Sequence, residues 1–216
     1  MRTSLEKSDF NREGVSPDKV RHYYRVLFLG VTREADAYLD EFIDFDIQRL
    51  QELTGKVISA ILLDIDACIA PAYDDILKKN LDKIDQLRAD GIGIGICSNC
   101  KAMERLNPLI ERGIPIYSGK RSKPSADVFL DACTEFGFEP STTWMVGENP
   151  TTDGGAVSVL GGMAFVKPIP AGGKDLGLKK KIMLPVQMAL RRIAIWRTVI
   201  GNSDIIRSEK SGILPH

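Results

Sequence analysis

The chain has 216 residues, of which 44% are hydrophobic and 27% charged, and its formal net charge is zero. These proportions are typical of globular proteins and argue against a disordered chain or a membrane-embedded body. A zero net charge also argues against a general nucleic-acid-binding protein, which normally carries a basic excess. The polar opening MRTSLEKSDFNREG lacks the apolar core of a secretory signal, so we expect a cytoplasmic protein.

The part of the chain before Val57 predicts an extension of a larger domain. Residues 1–22 are expected to be a loosely attached lead. Residues 33–53 carry an apolar stripe of Leu39, Phe42, Ile43 and Leu50 at helical spacing. We therefore predict that residues 1–55 form an N-terminal extension with a helix packed on the domain.

From Val57 onward, short apolar runs alternate with longer amphipathic segments, which is typical of β-α-β units. Amphipathic segments at 74–89 and 125–136 predict covering helices. The fold class predicted for residues 56–170 is α/β: a doubly wound, mainly parallel, five-stranded Rossmann-like sheet with helices on both faces. The five candidate strands are 57–64, 92–97, 114–117, 143–146 and 163–166.

The C-terminal segment, residues 171–216, is basic and apolar after a linker rich in proline and glycine. Its composition suits an anionic membrane surface, which favours peripheral membrane contact through residues 179–200. A final helix packed on the sheet, with its basic face in solvent, explains the same composition equally well. The basic residues are Lys179, Lys180, Lys181, Arg191, Arg192 and Arg197.

Polar side chains follow the first two predicted strands at the point where each strand ends. Asp64 and Asp66 lie two residues apart in ILLDIDACIAP, so both carboxylates can face one ligand or cation. The next strand ends in GICSNC, where the hydroxyl of Ser98 and the amide of Asn99 suit a phosphate oxygen. An N-cap for the following helix explains Ser98 equally well.

Two further motifs complete a set of four. Lys123 precedes Pro124 and a helix start, where a lysine can offset phosphate charge. Glu148 and Asp153 follow the apolar run in WMVGENPTTDGGAV, and hard oxygen ligands at a strand end suit Mg²⁺. Taken singly, each of these residues is also typical of a solvated surface.

These four motifs, in this order and at strand ends, resemble the signature of the haloacid dehalogenase (HAD) superfamily of phosphohydrolases. That signature is D-x-D, then Ser or Thr, then Lys, then an acidic pair. The sequence departs from the family pattern at Ala67 and Cys68, where Asn or another residue and then Thr are usual, and at Glu148, where Asp is usual.

The resemblance implies a magnesium-dependent phosphatase with an aspartyl-phosphate intermediate. Asp64 would be the nucleophile and Asp66 the general acid and base. Ser98 and Lys123 would complete the catalytic set, and Asn99 would contact the phosphate. The implied ligands of the Mg²⁺ ion are Asp64, Asp66, Glu148 and Asp153.

The cysteines add little to this hypothesis. Cys97 and Cys100 form a C-x-x-C, but a redox or zinc site needs a second ligand pair that the sequence does not offer. A thiol at Cys68, beside the aspartates, predicts inhibition by oxidants or heavy metals.

The spacing of the motifs leaves no room for a cap domain, since about 34 residues separate Asp64 from Ser98 and about 25 separate Ser98 from Lys123. The chain is therefore similar to capless, type IIIA-like members, and residues 42–201 resemble the phosphatidylglycerophosphate phosphatases of bacteria and mitochondria. That resemblance implies a phospholipid head group as substrate. Two alternatives stay open: a capless phosphatase for a soluble sugar phosphate, nucleotide or phosphoprotein, and a degenerate domain that binds a partner without catalysis.

Overall fold

The computed structural model describes residues 35–99, 103–117, 119, 121–170 and 192–196, together with residues 20, 21, 24, 189, 206 and 207. Its described strands form one parallel sheet. They are β1 (Ala37–Leu39), β2 (Ala60–Leu63), β3 (Gly93–Ile96), β4 (Thr143–Gly147), β5 (Gly162–Val166) and β6 (Ile206–Arg207). Their spatial order is β3-β2-β4-β5-β1-β6.

Helices cover both faces of the sheet. The described helices are α1 (Ile47–Thr54), α2 (Lys78–Ala89), α3 (Asn107–Ile110) and α4 (Ala126–Phe136). Short 3-10 segments occur at Phe42–Asp44, Met103–Leu106, Pro140–Thr142 and Asp153–Ser158.

The central strands are buried on both sides, as their continuous apolar runs predict. Every residue of β2, β4 and β5 is buried. One core contains Leu50 of α1 and Ile84 of α2, and the other contains Phe129 of α4. The predicted fold class, an open parallel α/β sheet between helical layers, is confirmed. In the described part of the chain no cap domain is inserted between β2 and α2 or between β3 and α4.

The glycines of β3 allow close packing at the edge of the sheet that carries the second motif. A Cβ atom on Gly93 would lie 2.8 Å from Phe138, and one on Gly95 would overlap the ring of Phe136. Both phenylalanines stand at the end of α4, so the missing side chains let α4 approach β3 closely.

The prediction of a helix over residues 33–53 is wrong in its first part. β1 occupies Ala37–Leu39 and pairs in parallel with β5, and the helix α1 begins only at Ile47. The apolar stripe at helical spacing is therefore shared between a strand, a 3-10 turn and a helix. Asp46 ends the extended stretch, because its side chain accepts a hydrogen bond from Arg49 N and caps α1.

The predicted strand at 114–117 is reduced to an isolated bridge between Ile96 and Ile116. Ile96 N donates to Pro115 O and Tyr117 N donates to Ile96 O. Pro115 has no N–H group, so the segment cannot build a longer ladder beyond the edge strand β3. The other four predicted strands form, and β1 and β6 join them on the far side of β5.

Most of the predicted lead at 1–22 and of the predicted C-terminal segment at 171–216 lies outside the described residues. Residues 192–196 are helical, with Ala194 and Ile195 buried and Trp196 half-exposed. Ile195 belongs to the core cluster on the α4 face, so this short stretch packs on the domain. Membrane contact through the rest of 179–200 stays a prediction. Among the described helices none has the length and apolar character needed to span a bilayer.

Candidate active site

Three neighbouring strands bring the motif residues to one edge of the sheet. β3, β2 and β4 lie side by side, and their carboxyl ends are followed by Ser98, Asp64 and Glu148 respectively. Asp64 N donates to Val146 O at 2.9 Å, which extends the β2–β4 ladder by one residue. The nucleophile candidate is therefore held by regular backbone pairing, although its side chain lies just beyond the strand.

Lys123 is the buried cation of this edge. Its Nζ lies 3.0 Å from Asp64 Oδ1 and 2.5 Å from Asp153 Oδ1, and its side chain is 1% exposed. Its backbone N donates to Asn99 Oδ1 at 3.2 Å, so the side chain of Asn99 supports the loop that carries the lysine. The phosphate contact predicted for Asn99 stays a prediction.

A tight loop after β4 fixes Asp153. Asn149 N donates to Asp153 Oδ2 at 3.0 Å, while Asn149 Oδ1 accepts from both the N and the Oγ1 of Thr151. Gly147 is needed at the strand end, because a Cβ atom there would lie 2.8 Å from the Cβ of Asp153 and closer still to its carboxylate. The sequence G-E-N-P-T-T-D thus folds Asp153 back against the end of its own strand.

Asp64, Glu148 and Asp153 form a buried cluster of three carboxylates. Each offers one oxygen, and these oxygens lie within 4.8 Å of one another. With the single charge of Lys123, the four ionised side chains would carry a net charge of −2. A hard divalent cation fits such an all-oxygen donor set, and among the common biological cations this description suits Mg²⁺ well.

The electrostatics of the cluster depend on Lys123. Burial alone would raise the pKa of Asp64, but the Lys123 charge and hydrogen bonds with Glu148, Ser98 and Lys123 outweigh it and hold the pKa below its usual value. Burial raises the pKa of Asp153 to about 6, despite the attraction of Lys123 and with a further contribution from the charge of Asp64. Burial alone would lower the pKa of Lys123. The negative charges of Asp153 and Asp64 outweigh burial and raise the pKa of this lysine. Asp64 is therefore kept as a carboxylate at the bottom of the site.

Comparison with known proteins supplies the family. A protein-family model described as haloacid dehalogenase-like hydrolase matches residues 3–160 of the chain. The chain belongs to this family of hydrolases. No curated protein matches it significantly.

Several solved structures are similar to this hydrolase at low identity. One is a Legionella pneumophila protein whose description places it in HAD subfamily III A; it is 15% identical, covers 71% of this chain and 97% of its own, and has a TM-score of 0.46. Another is the cobalt-bound form of deoxy-D-mannose-octulosonate 8-phosphate phosphatase from Haemophilus influenzae, with 15% identity, 68% and 94% coverage and a TM-score of 0.44.

Asp66 stands apart from the carboxylate cluster of the hydrolase. Its Oδ1 accepts from Arg105 Nη1 at 2.8 Å and from Tyr73 N at 3.0 Å. The same guanidinium donates through Nε to Asp74 O at 2.7 Å, so it ties Asp66 to the loop that follows. The structure thus does not bring the Asp66 carboxylate to the other predicted metal ligands, because Arg105 and the backbone hold it elsewhere.

Arg105 is the residue of this site that the sequence did not indicate. It lies in the 3-10 segment Met103–Leu106, outside all four motifs, and no spacing rule connects it to Asp66. Its side chain is 10% exposed, which is low for an arginine. Only the folded structure shows that the 3-10 segment after the Ser98 motif contacts the loop of the Asp64–Asp66 motif.

Cys68 is fully buried behind the carboxylates, and its Sγ–H points to Val146 O at 3.8 Å. Burial, and then the charges of Glu148, Asp64 and Asp153, raise the pKa of the thiol well above its usual value. A protonated, inaccessible thiol reacts slowly with oxidants and binds soft metals poorly. The structure therefore argues against the predicted inhibition by oxidants or heavy metals through Cys68. The C-x-x-C pair is described only at Cys97, which is buried, because Cys100 lies outside the described residues.

Proposed function

We propose that this hydrolase is a Mg²⁺-dependent phosphomonoesterase that works through a phosphorylated Asp64. The observation that carries the proposal is the buried Asp64 carboxylate at the end of β2, which lies 3.0 Å from Lys123 Nζ. A carboxylate that faces a cation site and is denied bulk water is a suitable nucleophile for an incoming phosphoryl group. The ion pair with Lys123 fixes the orientation of the Asp64 carboxylate before the substrate arrives.

The proposed reaction has two chemical steps. In the first, an oxygen of Asp64 bonds to phosphorus, the bond from phosphorus to the alcohol oxygen breaks, and Asp66 gives that oxygen a proton. In the second, Asp66 takes a proton from water as the water oxygen attacks phosphorus, which releases phosphate and restores the Asp64 carboxylate. Lys123 and Ser98 would hold the phosphoryl oxygens during both steps.

Mg²⁺ is the proposed cofactor, held by Asp64, Glu148 and Asp153, and when bound it would neutralise charge on the phosphoryl oxygens. We leave the Asp66 carboxylate out of this ligand set, since Arg105 and Tyr73 N engage it. The carboxylate cluster supports the proposal because Lys123 offsets only one of the three negative charges, and a divalent cation would offset the other two.

Mg²⁺ is expected to raise the free energy of unfolding of the wild type by about 2.7 kcal/mol at a concentration of 100 times its dissociation constant. Urea unfolding in EDTA and in Mg²⁺ measures the difference. Glu148→Gln should lose most of this increase, because the amide keeps the shape but not the charge of the ligand. Glu135→Gln, at an exposed site on α4, is the matched control and should keep it. A wild-type stability that does not respond to Mg²⁺ would contradict the proposed site.

Arg105→Met is expected to slow the hydrolysis of an alkyl phosphate by roughly 10- to 100-fold and that of p-nitrophenyl phosphate by less than about threefold. Loss of the guanidinium frees the Asp66 carboxylate, and an alkoxide needs the acid far more than a nitrophenolate does. Both bonds to Asp66 are made at Oδ1, so Oδ2 is the atom that would carry the proton.

Comparing kcat for the two esters distinguishes a role of Arg105 in positioning the Asp66 acid from a general loss of active-site structure. Arg112→Met is the matched control, because Arg112 pairs with Asp85 at the surface and should leave both rates unchanged. Equal slowing of the two esters by Arg105→Met would mean that Arg105 only stabilises the loop.

For the substrate, we propose phosphatidylglycerophosphate presented at a membrane surface. Two features support a large substrate. No cap domain is inserted in the described part of the chain, so nothing described there encloses a small metabolite. The sequence resemblance to phosphatidylglycerophosphate phosphatases, stated above, points to this head group among large phosphomonoesters.

Phosphate release from phosphatidylglycerophosphate in mixed micelles tests the substrate, with glycerol 3-phosphate as the soluble counterpart. We expect kcat/KM for the lipid to exceed that for glycerol 3-phosphate by about 10²-fold or more, because contacts remote from the reacting phosphate contribute to the rate. Both activities should disappear in EDTA. Equal or higher activity on glycerol 3-phosphate would favour a soluble substrate instead.

A further inference from the structure

A large cavity opens at the same edge of the sheet as the active site. Its volume is about 890 Å³, within the range of small-molecule sites. The loops after β1 and β5, the start of α2 and the helical stretch 192–196 line it. The cavity is outside the four sequence motifs, and none of the proposed catalytic residues lines it.

Two hydrogen bonds connect the walls of this cavity to the loop that carries Asp66. Ile169 N donates to Ala67 O, and Asn80 Nδ2 donates to Ile69 O, both at 2.8 Å. Ile169 and Asn80 both line the cavity. The cavity therefore adjoins the loop that carries the proposed acid and base, on the side away from β3.

The walls combine apolar and cationic groups. Phe42, Ile195 and the half-exposed Trp196 give an apolar surface. The charged residues on the lining are Asp40, Glu41, Lys79, Lys167 and Arg192, so the cations exceed the carboxylates by one.

The pairing of these charges identifies the cation that is available to a ligand. Glu41 pairs with Lys79, and Asp40 lies 3.8 Å from Lys167 Nζ. Arg192 has no ion-pair partner among the described residues. An anionic group that enters the cavity would therefore meet Arg192 as its counter-charge.

Asn80 is a buried part of the cavity wall. The residue is 1% exposed, and its Oδ1 has no hydrogen-bond partner in the described structure. A buried carbonyl oxygen without a donor costs roughly 1–3 kcal/mol, and because this one has almost no accessible surface, it is not offered to a ligand in the cavity. The Nδ2–H of the same amide is already used by Ile69 O, which fixes the orientation of the side chain.

We propose that this cavity binds an amphipathic anionic alcohol, with its apolar part against Phe42, Ile195 and Trp196 and its negative charge near Arg192. The inference rests on the proposed function, because the ligand is then the leaving group of the phosphomonoester. For phosphatidylglycerophosphate this would be the phosphatidylglycerol part, with its phosphodiester, glycerol hydroxyls and acyl chains.

The chain carries its own reporter for this binding. It has two tryptophans: Trp196 on the cavity wall, and Trp144, which is fully buried on the opposite face of the sheet against Phe45. Fluorescence changes on ligand binding should therefore come from Trp196. Trp196→Phe keeps an aromatic wall and removes the signal.

The test titrates the full chain with dihexanoylphosphatidylglycerol below its micelle concentration, and with dihexanoylphosphatidylcholine as the zwitterionic control with the same chains. We expect saturable binding of phosphatidylglycerol, seen as a Trp196 fluorescence change and as heat in calorimetry, with an affinity at least about tenfold above that for phosphatidylcholine. In Arg192→Glu, at an exposed position, the preference should fall to about twofold or less.

Absence of saturable binding by both methods, equal affinity for the two lipids, or an unchanged preference in Arg192→Glu would overturn the cavity assignment. The titration needs no turnover, so its outcome is separate from that of phosphate release. Binding of phosphatidylglycerol by a protein that releases no phosphate would contradict the proposed reaction but would support the cavity assignment.

Discussion

Replacing Asp64 by asparagine is expected to lower phosphate release by about 10⁴-fold or more, since loss of a nucleophile removes the covalent route altogether. The amide keeps the size of the side chain but cannot form the acyl phosphate. The measurement is kcat for p-nitrophenyl phosphate and for phosphatidylglycerophosphate at saturating Mg²⁺.

Asp64→Asn should remain folded, because the amide keeps the size of the side chain and Lys123 keeps its ion pair with Asp153. Its free energy of unfolding in EDTA is expected to fall by about 0.5–3 kcal/mol, since the folded site holds the pKa of Asp64 below its usual value and so favours the charge that asparagine lacks. Asp82→Asn, at an exposed position on α2, is the matched control and should keep full activity. Substantial turnover by a folded Asp64→Asn variant would exclude Asp64 as the nucleophile.

Lys123→Met is expected to lower the free energy of unfolding by about 3–5 kcal/mol in EDTA, because it leaves the Asp64 and Asp153 carboxylates buried without their cation. Methionine fills a similar volume, so lost packing contributes little. Chemical unfolding monitored by circular dichroism measures the change. Lys78→Met removes an exposed i,i+4 pair with Asp82 and should cost less than about 0.5 kcal/mol.

A second variant keeps this prediction testable if Lys123→Met does not fold. In Lys123→Met combined with Asp64→Asn, one buried negative charge leaves together with the positive one. The double variant is expected to be more stable than Lys123→Met alone by about 0.5–3 kcal/mol, the usual range for coupled neighbours. Similar losses for Lys123→Met and Lys78→Met would contradict the central place given to Lys123.

The fold was predictable where a segment is long and buried on both faces. β2, β4 and β5 follow from continuous apolar runs between turn residues, and the same pattern predicts a parallel sheet covered by helices. β1 was not predictable, because three residues are too few to show a hydrophobic period. The charged residues Asp36 and Asp40 on either side of it also hide the strand. Its conformation depends on pairing with β5, for which Ala37 lies opposite Ala164.

Most of the candidate site was predictable because its residues directly follow strands. Asp64, Ser98 and Glu148 come from neighbouring strands of one parallel sheet, so their convergence follows from the sheet alone. The contact between Arg105 and Asp66 was not predictable, since it depends on how the irregular segment after β3 folds back to the carboxyl end of β2. The position of Lys123 between Asp64 and Asp153 likewise requires the folded loops.

Chemical trapping of the intermediate tests the central claim most directly. The wild type would be mixed with a phosphomonoester and Mg²⁺, quenched in denaturant, reduced with borohydride and digested for mass spectrometry. Borohydride converts an aspartyl phosphate to homoserine, so the account predicts homoserine at position 64 in the wild type and none in Asp64→Asn or without substrate. Rapid phosphate release with an unmodified Asp64, or homoserine at Asp66 instead, would contradict it.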